Sequence, residues 1–134
     1  MHEPLLTVFA KDTLIPDGLI DIARERKWES AVCSGIGGVC EVELAYFDSI
    51  TKEYQSFWIP EIVELVSLNG NLTWLEDKPF WHLHALVADR EGKTSGGHVL
   101  KCKVALTLEL AIWPLSSRFE RKHDEISGLN LIHA

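Results

Sequence analysis

Lys101-Cys102-Lys103-Val104-Ala105-Leu106-Thr107-Leu108-Glu109-Leu110-Ala111-Ile112-Trp113 is the stretch whose pattern decides the fold class. Cys102, Val104, Leu106, Leu108, Leu110 and Ile112 alternate against Lys101, Lys103, Thr107 and Glu109. Neighbouring side chains of a strand point to opposite faces, so this segment predicts a long strand with one apolar face that must be buried. Upstream, Phe80 to Ala88 reads as another strand, followed by an evident loop at Asp89-Arg90-Glu91-Gly92-Lys93. Ile62 to Leu68 is strand-like and runs into Asn69-Gly70, a strong turn signal. Tyr54 to Ile59 and Val39 to Asp48 add two strands across the polar turn Ser49 to Lys52, and Ser34-Gly35-Ile36-Gly37-Gly38 reads as an interruption after Ala31 to Cys33.

Nearer the start, Leu5 to Phe9 suits a short strand, and Ile15-Pro16-Asp17 suits the opening of a helix. Proline fits the first helical position and aspartate the positive end of the helix. Ile15, Leu19, Ile22 and Ala23 keep helical spacing, and Arg24, Arg26 and Lys27 suit its C-terminal end. A short segment from Arg118 to His123 closes the chain. Many strands and one principal helix predict an α+β fold, a mainly antiparallel sheet packed by that helix, as a single domain over residues 1–134.

Bulk properties narrow the function classes. With 134 residues, 46% hydrophobic and 25% charged, the chain has the profile of an ordinary globular domain that needs no disulfide or structural metal to fold. Thirteen basic and twenty acidic side chains give a formal charge of −7. A field of that sign opposes phosphate backbones and anionic membrane surfaces, so neither nucleic acid nor membrane is the expected partner. Cys33, Cys40 and Cys102 are odd in number, widely spaced and without a C-x-x-C pair, which fits reduced thiols in a cytoplasmic protein. The apolar run Leu5 to Ala10 follows Glu3 and lacks a cationic lead, so it reads as strand and not as signal peptide. No stretch approaches the length of a bilayer span.

The chemistry-bearing residues are histidines. Trp81-His82-Leu83-His84 sets two imidazoles at i and i+2, on one face of a strand. If the chain returns through residues 89–93 so that Ala88 pairs with Thr94, His84 stands opposite His98 and His82 diagonal to it. Gly96-Gly97 could break that strand just before His98. Neutral imidazole suits Zn, Cu, Fe or Ni, and three protein nitrogens leave a coordination position for water or substrate. An H-x-H pair that is merely exposed or hydrogen-bonded on a strand is the plainer alternative.

Several motifs in order resemble the PPC (plant and prokaryote conserved) domain. They are Gly35-Ile36-Gly37-Gly38-Val39, Glu61 through Leu72, His82-Leu83-His84, Gly96-Gly97-His98, the strand to Glu109 and Phe119-x-Arg121. The resemblance implies a mainly antiparallel α+β fold and a homotrimer. It also implies a metal held by the histidines of H-x-H and G-G-H, here His82, His84 and His98. The expected cofactor is a divalent transition metal, zinc first, able to assist chemistry on a small molecule. Plant members carry a DNA-binding AT-hook, and no such segment stands in these residues. A DNA-associated regulatory protein without catalytic activity is the alternative function, at odds with the charge of −7.

Glu64 falls between Ile62 and Val66 in strand alternation, so its carboxylate is expected on an apolar face, as a candidate catalytic acid–base or as a core or interface carboxylate. Gly35-x-Gly37-Gly38 precedes strand instead of helix, which rules out a dinucleotide fingerprint; a bulge or close backbone approach is the default, with an anion nest as the minor option. Arg118, Arg121 and Lys122 read as surface salt-bridging residues, with anion binding as the lesser alternative. Tryptophans 58, 74, 81 and 113 read as core or interface. His2, His123 and His133 lack ligand spacing.

Overall fold

The structure, a computed structural model, describes residues 3–133, so His2 lies outside the described residues. The elements are β1 (Leu5–Phe9), β2 (Leu14–Ile15), α1 (Asp17–Arg26), β3 (Ser30–Asp48), β4 (Glu53–Ile59), β5 (Val63–Leu75), β6 (Lys78–Ala88), β7 (Thr94–Leu115), β8 (Glu120–His123) and β9 (Asn130–His133). All strands join one sheet, antiparallel at every pairing except the single β5–β8 bridge. It is the mainly antiparallel sheet with one helix that the alternation predicts. The pairings β3–β7, β7–β6, β6–β5 and β5–β3 close on themselves, so the inward faces of four long strands share one core.

Leu108, Leu110 and Ile112 of β7 are wholly buried in that core, with Leu68 and Leu72 of β5 and Leu83 of β6. Leu106 departs from its expected burial and is 62% exposed. Between Gly37↔Leu108 and Val39↔Val104, β7 carries two more residues than β3. That bulge turns Leu106 outward and tucks Ala105 in.

Helix α1 covers one face through Leu19 and Ala23, and the indole nitrogen of Trp81 donates to the Leu19 carbonyl at 2.9 Å. Lys27, at positive φ, ends the helix by donating its N–H to the carbonyls of Ala23 and Arg24.

Two glycine motifs mark close approach of strands, as expected by default at Gly35-x-Gly37-Gly38 and against expectation at Asn69-Gly70. Residues 34–38 do not interrupt β3, which runs unbroken from Ser30 to Asp48. A Cβ on Gly37 would stand 2.1 Å from the Thr107 carbonyl oxygen, so glycine lets β3 lie tight against β7. Asn69-Gly70 is no turn either. Strand β5 passes straight through it to Leu75, and the hairpin turns at Glu76-Asp77, both at positive φ as two-residue hairpins demand. A Cβ on Gly70 would lie 2.0 Å from the His82 carbonyl oxygen.

Candidate metal centre

Strand β6 turns Trp81, Leu83 and Ala85 into the core, which leaves His82 and His84 on its outer face. The β6–β7 register is Ala88↔Thr94 through His84↔His98, the pairing read from the spacing. Gly96-Gly97 lie inside β7 and do not break it. His82, His84 and His98 therefore meet, with one nitrogen of each within 4.8 Å of the others. Ring centroids stand 5.0 Å apart for His82–His84, 5.1 Å for His82–His98 and 5.7 Å for His84–His98.

The surroundings hold His82 and His98 and keep those two rings neutral. Tyr54 of β4 stacks on His98 at 4.7 Å, and Phe80 lies 6.5 Å from His82. Burial first, then Arg121 and the other two histidines, lowers the pKa of His82 to about 4. Burial, then His84 and Arg121, lowers that of His98 as well. At neutral pH both rings offer lone pairs and need shed no proton to bind a cation. Nδ1 of His98 is buried and has no hydrogen-bond partner among the described residues. An orphaned acceptor or donor of this kind costs about 1–3 kcal/mol. A cation bound to this ring would offset that.

The donor set fits a transition metal. Tetrahedral zinc with Zn–N near 2.0–2.1 Å sets its nitrogens about 3.4 Å apart, closer than the 4.8 Å limit here. His84, the exposed member, is the least constrained of the three rings.

Arg121, read from the sequence as a surface residue first and an anion binder second, lies beside His82. It stands on β8, only 8% exposed, and joins strands far apart in sequence. Nε donates to Thr73 Oγ1 at 2.8 Å, Nη1 to the Asn130 carbonyl at 2.9 Å and Nη2 to Asn71 Oδ1 at 2.9 Å. Nη2 also lies 3.4 Å from Nδ1 of His82. Its neighbour Arg118 behaves as the surface reading expects, pairing with Asp77 and Glu120 over the Trp74 ring. A cavity of about 260 Å³ opens on His82 and His98, lined also by Tyr54, Phe80, Arg121 and the segment 128–131. A larger cavity of about 880 Å³, walled by Ile59, Glu61 and Arg90 among others, lies away from the histidines.

Glu64 keeps the alternation with Ile62 and Val66, but that face is exposed in the chain. Asn69 faces His84 in the register, and Glu64 is five residues further along β5, about 16 Å of strand. The structure does not bring Glu64 to the histidines. His123 and His133 are likewise apart from them, on β8 and β9.

Residues 2–116 match the Plants and Prokaryotes Conserved (PCC) domain family. Among solved structures, the metal-containing protein AF0104 of Archaeoglobus fulgidus superposes with a TM-score of 0.94 at 30% identity, over 99% of this chain and 94% of that one. A plant- and prokaryote-conserved (PPC) protein of Pyrococcus horikoshii gives 0.92 at 25% identity, over 99% and 92%. A Ralstonia eutropha JMP134 protein, provisionally named as DNA-binding, gives 0.88 at 25% identity, over 96% and 90%. The bifunctional protein GlmU of Synechococcus sp. (strain JA-3-3Ab) is 32% identical over 104 residues, 76% of this chain. The chain spans only 16% of that curated relative's length.

Proposed function

This chain belongs to the Plants and Prokaryotes Conserved domain family, and on that footing we propose that it is a cytoplasmic, homotrimeric metal-binding protein, one domain throughout. In this reading His82, His84 and His98 hold a divalent transition metal, zinc, at a site open to a small molecule. The observation that carries it is the convergence of three imidazoles from two adjacent strands, one with a buried, unpartnered nitrogen. The Archaeoglobus relative, which is named for its metal, supports it. A metal with three protein nitrogens keeps a position for water or substrate and acts there as a Lewis acid. The chain's own part is to orient the rings, through Tyr54 stacked on His98.

Metal content of the wild type, His84→Ala and His98→Ala, purified from zinc-supplemented cells, tests this reading. One metal per chain in the wild type and a large loss in both variants are expected. Unchanged content in both variants removes the site.

Association of subunits is supported by two exposed aliphatic side chains that flank Glu109 on the outer face. Val8, Glu109 and Ile36 are register partners across β1, β7 and β3, and the two aliphatic members are more than half exposed. Exposed apolar surface of this kind suits a subunit boundary. Light scattering should give three chains per particle. The cytoplasmic placement rests on three free thiols, of which Cys33 and Cys102 are pushed up to about 12 by burial and are unreactive. No described helix is long and apolar enough to cross a membrane.

The provisional DNA-binding name of the Ralstonia relative favours a second reading, a DNA-associated regulatory protein without chemistry. The net charge of −7 opposes it. That reading requires a duplex-DNA shift at low salt that weakens as salt rises, and none is expected.

A further inference from the structure

Arg121 is the feature that metal binding by the three histidines leaves unexplained. Burying a guanidinium is expensive unless its charge is answered. Its three short partners, Thr73 Oγ1, Asn71 Oδ1 and the Asn130 carbonyl, are all neutral. In a chain with twenty acidic residues, none of those described forms an ion pair with it. The cavity it lines has no described Asp or Glu on its wall. Within a molecule of charge −7, this is a pocket of uncompensated positive charge.

The donors are only partly used. A guanidinium has five N–H groups and no acceptor. Three have short partners, one on Nη2 reaches Nδ1 of His82 at a long 3.4 Å, and the last, on Nη1, has no described partner. The contact to His82 needs a lone pair on Nδ1. Once a metal is bound to this ring, Nδ1 is either the metal-bound atom or the protonated one. In neither state can it accept. Metal loading therefore releases an Nη2–H, so each terminal nitrogen has one donor to spare, which matches the two oxygens of a carboxylate.

Beyond Arg121, His82 and His98, the wall is built from Tyr54, Phe80, Leu129 and Leu131, together with Gly128 and Asn130. At about 260 Å³ the cavity falls just below the range of drug-sized pockets and suits a small metabolite.

We propose that the cavity beside His82 and His98 is the binding site of a small organic carboxylate, with Arg121 as its anion-recognising residue. The inference deepens the metal-site reading by naming the ligand class. The metal and the carboxylate bind cooperatively, because the same event that fills the triad frees an Arg121 donor. By reciprocity, the carboxylate must tighten metal binding by the factor that metal tightens carboxylate binding.

Benzoate, its neutral isostere benzamide and inorganic phosphate serve as probes, titrated by calorimetry into zinc-loaded and chelator-stripped protein. Charge-assisted hydrogen bonds predict a preference for benzoate over benzamide of roughly ten- to a hundredfold. The preference should be larger in the zinc-loaded form. It should vanish in Arg121→Gln and persist, reduced, in Arg121→Lys. A zinc-competition assay should show tighter zinc with benzoate present.

Equal affinity for benzoate and benzamide, or no binding of benzoate, overturns the proposal. So does a preference that survives Arg121→Gln, since Arg121 would then only tie β8 to its neighbours. Phosphate binding more tightly than benzoate overturns the carboxylate class. Should Arg121→Gln fail to fold, the two probes on wild-type protein still decide. Metal content is read separately in each preparation. A protein that takes up no zinc yet prefers benzoate would sink the metal reading and leave the anion site standing.

Discussion

Gly70→Ala adds one methyl group where β5 lies against β6. Its Cβ would stand 2.0 Å from the His82 carbonyl oxygen and 2.9 Å from the carbonyl carbon. Ordinary contact begins at 3.4 Å, so the gap must open by 3.4 − 2.0, about 1.4 Å. The obstructing atoms are backbone within a hydrogen-bonded ladder, which cannot swing aside as a side chain does. The destabilisation should reach the top of the overpacking range, about 3 kcal/mol. With an unfolding entropy of about 2.1 cal/mol/K per residue over 134 residues, that lowers Tm by roughly 11 °C. The displaced carbonyl belongs to His82 itself, so zinc occupancy should fall with stability. Thermal melts and zinc content, measured beside Gly92→Ala, provide the assay. Gly92 has positive φ and nothing within 4 Å of its Cβ, so its substitution should cost only about 1–2 kcal/mol and leave zinc unchanged. A Gly70→Ala protein that melts within about 3 °C of wild type with full zinc would refute the reasoning.

Acidification should destabilise the metal-free protein. The folded pKa of His82, about 4, lies below its ordinary 6.5, so between those values the unfolded chain binds more protons. Stability is therefore fullest above pH 6.5 and declines as pH falls toward 4. Tm of stripped protein should drop from pH 7.5 to 5, and His82→Gln should show a shallower drop; parallel slopes contradict this. Leu110→Ala, at a wholly buried position, should cost about 2–5 kcal/mol in urea melts without altering zinc content. Arg118→Ala removes exposed ion pairs and should shift stability by no more than about 1 kcal/mol, a result that a larger loss would overturn.

Alternation along β7 and the return through residues 89–93 made the sheet and the His84↔His98 pairing readable, because a strand's period of two leaves little freedom once a register is chosen. Asp17 marks the helix start in the same local way, while Pro16 sits one position earlier than expected, as the N-cap, and Ile15 belongs to β2 and not to the helix. The misses share a physical cause. Gly70 reads locally as a turn yet serves the close approach of β6, which no local pattern records, whereas at Gly37 close approach is the default that the sequence itself suggests. Leu106 was placed inward because a bulge cannot be seen in one strand alone. Arg121 read as one of a surface trio, and only pairing with Ile132 of the unforeseen β9, together with Thr73 and Asn71, shows that it is buried beside His82. Glu64 was expected on an apolar face, and the face proved to be the outer one.

X-ray absorption at the zinc edge of the loaded protein probes the triad without any substitution. Three imidazole nitrogens at about 2.0–2.1 Å, and no sulfur, are expected. A shell containing thiolate near 2.3 Å, or fewer than two imidazoles, would place the metal elsewhere and contradict a site built from His82, His84 and His98.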